Sequence, residues 1–288
     1  MNKRLYLNSI AVVGLSALVA ATGTAATIPF FFSTGNPDGK IGTLSRPAGP
    51  GLLETETADD FITTFQTTIN SATFVGLLPS GAPLSNVSDV EIELYHVFPV
   101  DSTNPPSGNV PTRVNSPSDN QFAAFDSASG DIAVTTTLLN SSFAVANTVV
   151  NGIHKSPNQF TGGEGPATGE EVLFSIVFNT PLGLPAGHFF FRPEVGLTSG
   201  NFLWLSAPKP IVAPGTPFSP DLQSWTRNSD LAPDWLRIGT DITGQGPFNA
   251  TFSLSGTEIT PEPSTLVILG SGLAMLGLRR PRGRRKVF

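Results

Sequence analysis

Histidine is the side chain most often used near neutral pH as a base, an acid or a metal ligand, and this chain has three, His96, His154 and His188. They stand far apart, with no HExxH and no partner at metal-ligand spacing, so no metal site is expected. His96 falls on the apolar parity of its segment and is expected to be a packed residue. A nucleophile elbow needs serine at the centre of GxSxG, whereas Gly196-Leu-Thr-Ser-Gly200 has threonine there. No phosphate-binding GxxxxGK[ST] occurs. Cysteine is absent, which removes thiolate zinc sites, cysteine nucleophiles and disulfides.

Carboxylates are more suggestive, because glycosidases need two of them about 5–10 Å apart. Asp59-Asp60 and Glu170-Glu171 are adjacent, but neighbours on a strand point to opposite faces. A cross-strand pair is not legible from sequence, which leaves a polysaccharide hydrolase as an alternative. Thr34-Gly-Asn-Pro-Asp38-Gly39-Lys-Ile41 has partial EF-hand register, yet its first position is Thr34 and its twelfth is Ser45, so the bidentate glutamate is missing and an Asp-Gly turn is expected. Trp204, Trp225 and Trp235, with Phe202, are candidates for stacking on sugar rings if exposed. They carry the alternative of a carbohydrate-binding module.

Any such residues must be positioned by a fold poor in helix. The 288 residues include 29 Gly and 26 Pro, a profile of short strands joined by turns, since glycine and proline disfavour helix interiors by about 1 and 3 kcal/mol relative to alanine. Charge is unevenly distributed. Of 16 Lys and Arg, Lys3 and Arg4 sit at the start and six more in the last ten residues, which leaves eight against 22 acidic residues, a net of −14. Such a body repels nucleic acid, and no nucleic-acid partner is expected.

The two ends carry addresses. Lys3 and Arg4 precede an apolar run from Ile10 to Ala21, then Gly23, Thr24, Ala25 and Ala26, the three regions of a secretory signal peptide over residues 1–26, with cleavage by signal peptidase expected after Ala25 or Ala26. At the other end stand Pro261-Glu262-Pro263-Ser264, an apolar stretch to Leu278, and the basic residues Arg279, Arg280, Arg282, Arg284, Arg285 and Lys286. The prolines hold the chain extended, as a protease groove requires. Residues 264–278 are expected to form a short transmembrane helix, with Gly270, Gly272 and Gly277 suited to close helix packing. The basic tail resists translocation and is expected to stay cytoplasmic.

This layout over about the last 28 residues resembles the PEP-CTERM sorting signal of Gram-negative bacteria. The resemblance implies an exosortase-like membrane enzyme that cleaves near the proline motif, so that Pro261, Glu262, Pro263 and Ser264 are recognised rather than catalytic. The tail departs from the usual arginine pair by continuing to Phe288, and the added residues are mostly basic.

Between the ends, period-2 alternation marks strands. Val90, Ile92 and Leu94 face one way and Glu91 and Glu93 the other; Val172, Phe174, Ile176 and Phe178 form one apolar face; Phe252 and Leu254 alternate with Thr251, Ser253 and Ser255. Further strands are expected over Phe61 to Phe65, Ala72 to Leu78, Ile132 to Leu139, His188 to Arg192 and Phe202 to Leu205, with loops at Asp101 to Asn120, Asn158 to Gly169 and Ala207 to Asp221. No amphipathic helical pattern links them. The expected architecture is all-β, an antiparallel β-sandwich of jelly-roll type over residues 27–256, flanked by the signal helix and, after a linker, by the transmembrane helix within 257–288. The expected function is that of an exported, non-enzymatic envelope or matrix protein, structural or adhesive, without cofactors. The expected location is the inner membrane as precursor and then the envelope or matrix, with matrix polysaccharide as a possible partner.

Overall fold

The computed structural model describes residues 26–103, 110–155 and 159–260. The signal segment, the proline motif Pro261 to Ser264, the apolar stretch to Leu278 and the basic tail lie outside the described residues. Among the described residues, no helix is long and apolar enough to cross a membrane.

The described chain is almost all strand: β1 (Ala26–Ser33), β2 (Ile41–Leu44), β3 (Thr55–Thr63), β4 (Gln66–Pro79), β5 (Val87–Val97), β6 (Pro117–Asp126), β7 (Ile132–Val145), β8 (Asn147–Val149), β9 (Ala167–Leu184), β10 (Gly187–Leu197), β11 (Leu203–Ala207), β12 (Trp225–Asn228), β13 (Leu236–Arg237), β14 (Asn249–Ala250) and β15 (Phe252–Thr260). The described helix is confined to turns at Leu84–Asn86 and Ile238–Ile242. Each strand expected from alternation falls within or overlaps an observed one.

Two sheets result. In the nine-stranded sheet β7, β9 and β4 lie side by side, and the other edge of β4 is shared by β15, which leads to β1, and by β11, which leads to β2 and β8. The six-stranded sheet runs β13-β12-β3-β10-β5-β6. Among the described ladders of β2 to β15 with one another, pairing is antiparallel except for the short ladder of β2 with β8. The main core lies between the sheets, where alternate residues of facing strands meet: Phe74, Phe174 and Phe252 from one, Ile92, Leu94 and Phe191 from the other. Phe191 stacks on Phe252 at 5.1 Å, and Phe74 on Phe174 at 4.7 Å. Gly76 is required by this packing, since a Cβ there would stand 1.9 Å from Phe202 Cε2.

The bounds of some elements differ from those expected. The domain edge placed near Gly256 is a bulge within β15, which continues to Thr260 with Glu258 opposite Thr67 and Ile259 opposite Gln66. Glycine is needed at the bulge because a Cβ would come within 1.9 Å of the Thr68 carbonyl oxygen. The loop expected over Asp101 to Asn120 already contains the start of β6 at Pro117, and that over Asn158 to Gly169 the start of β9 at Ala167. Polar Thr55 to Asp60, which carries no apolar alternation, is strand because partners bury it from both faces.

Candidate functional site

Alternation on β7, β9, β4 and β15 that sends Phe74, Phe174 and Phe252 inward must send their neighbours outward. Register then aligns those neighbours in a row. Thr135 stands opposite Ser175, Ser175 opposite Thr73, and Thr73 opposite Ser253, so four hydroxyls cross four strands over roughly 14 Å at a strand spacing of about 4.8 Å. Thr73 Oγ1 and Ser253 Oγ lie 2.6 Å apart. The flanking rows are Thr137, Leu173 and Val75 on one side and Ala133, Val177, Ser71 and Ser255 on the other. Val177 is 53% exposed, and Phe31 of β1, 58% exposed, projects beside the row. A groove of about 630 Å³ opens here, lined by Phe31, Thr73, Leu139, Leu173, Ser253 and the rim residue Glu171. Its size is that of small-ligand sites. Burial lifts the Glu171 carboxyl above its ordinary value, and the hydroxyl row itself carries no charged side chain. The face offers hydroxyls and apolar surface together, the combination that a polyhydroxylated ring with apolar faces meets.

The six-stranded sheet carries the most concentrated charge. The parity that buries Ile92, Leu94 and Phe191 places Glu91, Glu93 and Tyr95 of β5, Arg192 and Glu194 of β10, Glu56 of β3 and Arg227 of β12 on its other face. Arg192 Nε and Nη2 donate to Glu56 Oε1 at 3.0 and 2.7 Å, Nη2 also reaches Glu54 Oε1 at 2.9 Å, and Nη1 lies 3.2 Å from Glu194 Oε2. Arg227 pairs with both oxygens of Glu56 and lies over Trp235, 4.3 Å from its ring centre. The Tyr95 hydroxyl is 2.8 Å from Glu56 Oε1 and 2.5 Å from Glu93 Oε2.

Burial alone would raise the Glu56 carboxyl, but the Arg192 and Arg227 guanidiniums outweigh it and hold Glu56 at about 2. One guanidinium shared among several carboxylates cannot keep all of them ionised. Burial therefore prevails at Glu194, which is pushed well above the carboxylate range despite its contact with Arg192, and at Glu91, which burial and Glu93 raise to about 7. A cleft of about 310 Å³ reaches Glu56, Glu93 and Tyr95. Glu56 is held there by two guanidiniums, bonds that a substrate would have to break.

The three tryptophans that were candidates for sugar stacking if exposed are interior: Trp204, Trp225 and Trp235 are 1%, 1% and 0% exposed. Trp204 Nε1 donates to the Thr251 carbonyl at 2.7 Å and its ring packs against Phe191 and Phe252. Trp235 Nε1 donates to the Ser118 carbonyl at 3.2 Å, and Trp225 packs with Ala58 and Phe190. Large aromatic area was better removed from water than displayed.

Asp59 and Asp60 do point to opposite sides, and both are buried. Asp59 accepts from Ala250 N at 2.8 Å and from Ser224 Oγ at 3.1 Å, while Asp60 meets His188 Nε2 at 2.6 Å and accepts from Leu222 N. Burial, with neighbouring Asp60, raises Asp59 well above the usual carboxylate value. Glu170 accepts from Gly81 N, so neither adjacent pair faces a common ligand. His96 packs on Phe122 at 4.2 Å and meets Asp101 at 2.5 Å. Asp38 closes a turn by accepting from Lys40 N at 3.0 Å and from Ser206 Oγ, with Gly39 at φ +70°. Among the described residues no group of three or more His, Asp or Glu is arranged to hold a metal ion. The hydroxyl row was not legible as a site in sequence. Its signal was the Ser and Thr at outward positions of successive strands, and only register aligns them.

The fold and sites define a two-sheet β protein with one hydroxylated outer face and one internally paired ionic face. The chain matches no protein-family model, and neither a curated protein nor a solved structure shows a significant match to it.

Proposed function

We propose that this is an exported, non-enzymatic protein of the cell envelope or extracellular matrix, structural or adhesive in role. In this reading signal peptidase removes the N-terminal segment, the helix 264–278 holds the precursor in the inner membrane, and an exosortase-like enzyme recognises Pro261 to Ser264. The observation that carries it is the joint layout of proline motif, glycine-bearing apolar stretch and basic tail at one end and a signal-peptide pattern at the other. The body is compatible with that role, because Glu56, Asp59 and Asp60 are engaged internally while the hydroxyl row of its open sheet face carries no charged side chain. The strands pass repeatedly between the two sheets, as in β3 to β4 to β5, which supports a jelly-roll type of sandwich.

The test is intact mass and cell fraction of the protein from its host beside a variant with Pro261, Glu262 and Pro263 replaced by alanine. A native form lacking both ends in the outer envelope or medium, with the variant retained at full C-terminal length in the inner membrane, is expected. Equal fractionation of two forms that both keep the C-terminal stretch refutes the sorting reading.

A second reading, a carbohydrate-binding module, is favoured by the groove beside the hydroxyl row. It predicts retardation in gels containing a neutral polysaccharide and loss of that retardation in Phe31→Ser. A hydrolase reading would rest on Glu91 and Glu93, which share one side of β5, and would require sugar release that Glu93→Gln abolishes.

A further inference from the structure

A sheet edge presents a row of unpaired N–H and C=O groups, and proteins blunt such edges with proline, charge or brevity. Among the described strands, the edges follow that rule with one exception. β1 contains Pro29; β6 contains Pro117, Asp119 and Asp126; β8, β13 and β14 are two or three residues long. β7 has 14 residues, Ile-Ala-Val-Thr-Thr-Thr-Leu-Leu-Asn-Ser-Ser-Phe-Ala-Val, without a charge or a proline. It pairs with β9 alone, and no backbone bond from elsewhere in the described chain reaches residues 133–139. From Ile132 to Leu138 its register with β9 is unbroken; irregularities begin only between Leu138 and Asn140. Thr135 and Thr137 are exposed, with Leu138 and Leu139 44% and 50% exposed beside them.

The geometry points to β7 as a strand-addition edge whose occupant is β7 of a second copy of this chain, antiparallel about a two-fold axis at Thr135. The composition of the strip fits a second copy. It is neutral and opposes only neutral residues, so pairing with itself brings no like charges face to face. Centred on Thr135, the pairing sets Ile132 against Leu138, Ala133 against Thr137 and Val134 against Thr136, a self-complementary match in which every pair is apolar, hydroxylated or both. It joins two nine-stranded sheets into one and extends the row Ser253, Thr73, Ser175, Thr135 through its own mirror across the axis. The inference does not depend on the sorting reading, and its test reads the strand directly.

The chain lacks cysteine, so single cysteines report without background. In a full-length Thr135→Cys chain, the two cysteines would face each other with Cβ atoms about 4.5–5.5 Å apart, close enough for a disulfide after a small adjustment. In Thr137→Cys they would stand four residues out of register, roughly 14 Å apart. Ser175→Cys, one strand further in, is equally out of reach. Under mild oxidation Thr135→Cys is expected to convert to a band of twice the monomer mass while the other two remain monomeric. Melting curves matching the native chain check that each substitution leaves the fold intact. Equal cross-linking at all three positions, or none at Thr135, overturns the proposal.

Discussion

Replacing Arg192 by methionine tests whether the ionic face is held by the balance described above. The substitution keeps much of the apolar stem and removes the charge that Glu56, Glu93 and Glu194 share. Breaking a buried pair by deleting one partner costs about 3–5 kcal/mol, because the remaining charge is buried without compensation. The Glu56 carboxyl gives an independent figure. Held at about 2 against an ordinary 4.5, it contributes about 3 kcal/mol, present above the unfolded value and lost as pH falls through about 2. Arg192 and Arg227 share that contribution. In the variant the neighbouring carboxylates can take up protons, so the loss should shrink in acid. At pH 7 the melting temperature is expected to fall by on the order of 10 °C, and at pH 4 by less than half as much. Tryptophan fluorescence reports the transition, since all three tryptophans are buried. A loss below about 1 kcal/mol at pH 7, or an equal loss at both pH values, would refute the assignment of Arg192 as the shared counter-charge.

Glu91, raised to about 7, contributes stability that is full below its unfolded value and is lost as pH rises through about 7. Glu91→Gln is therefore expected to flatten the fall in melting temperature between pH 5 and 8, measured by calorimetry. Trp204→Ala should cost about 3–5 kcal/mol in urea unfolding, because it opens a cavity and orphans the Thr251 carbonyl. Gly76→Ala should destabilise by about 1–3 kcal/mol in the same assay, since the added methyl enters the space of the Phe202 ring.

Period-2 alternation was enough to identify the strands whose one face is apolar and buried. Val90 to Leu94 and Glu171 to Phe178 therefore emerged directly, and the absence of helical periodicity gave the β class. Residue chemistry at the ends likewise supported the sorting reading from sequence alone. Other strands were hidden for a physical reason. In Thr55 to Asp60 and at the start of β6, polar residues are buried because ions and backbone groups brought from other strands satisfy them, and no local pattern records those partners.

The same distinction governs the sites. Adjacent positions told that Asp59 and Asp60 point apart, but only packing decided that both are interior. The aromatic character of Trp204, Trp225 and Trp235 was evident from sequence, yet their burial depended on what the two sheets enclose. The glutamates of β5 were readable as the polar parity of a strand; that Glu91 is raised to about 7 was set by burial and by Glu93, against the pull of Arg192, about a hundred residues away and opposite Glu93. Sequence determined which side chains each strand could offer on each face. Register and sheet packing determined which of them meet, because alignment across strands is a property of pairs of segments and is written in neither one alone.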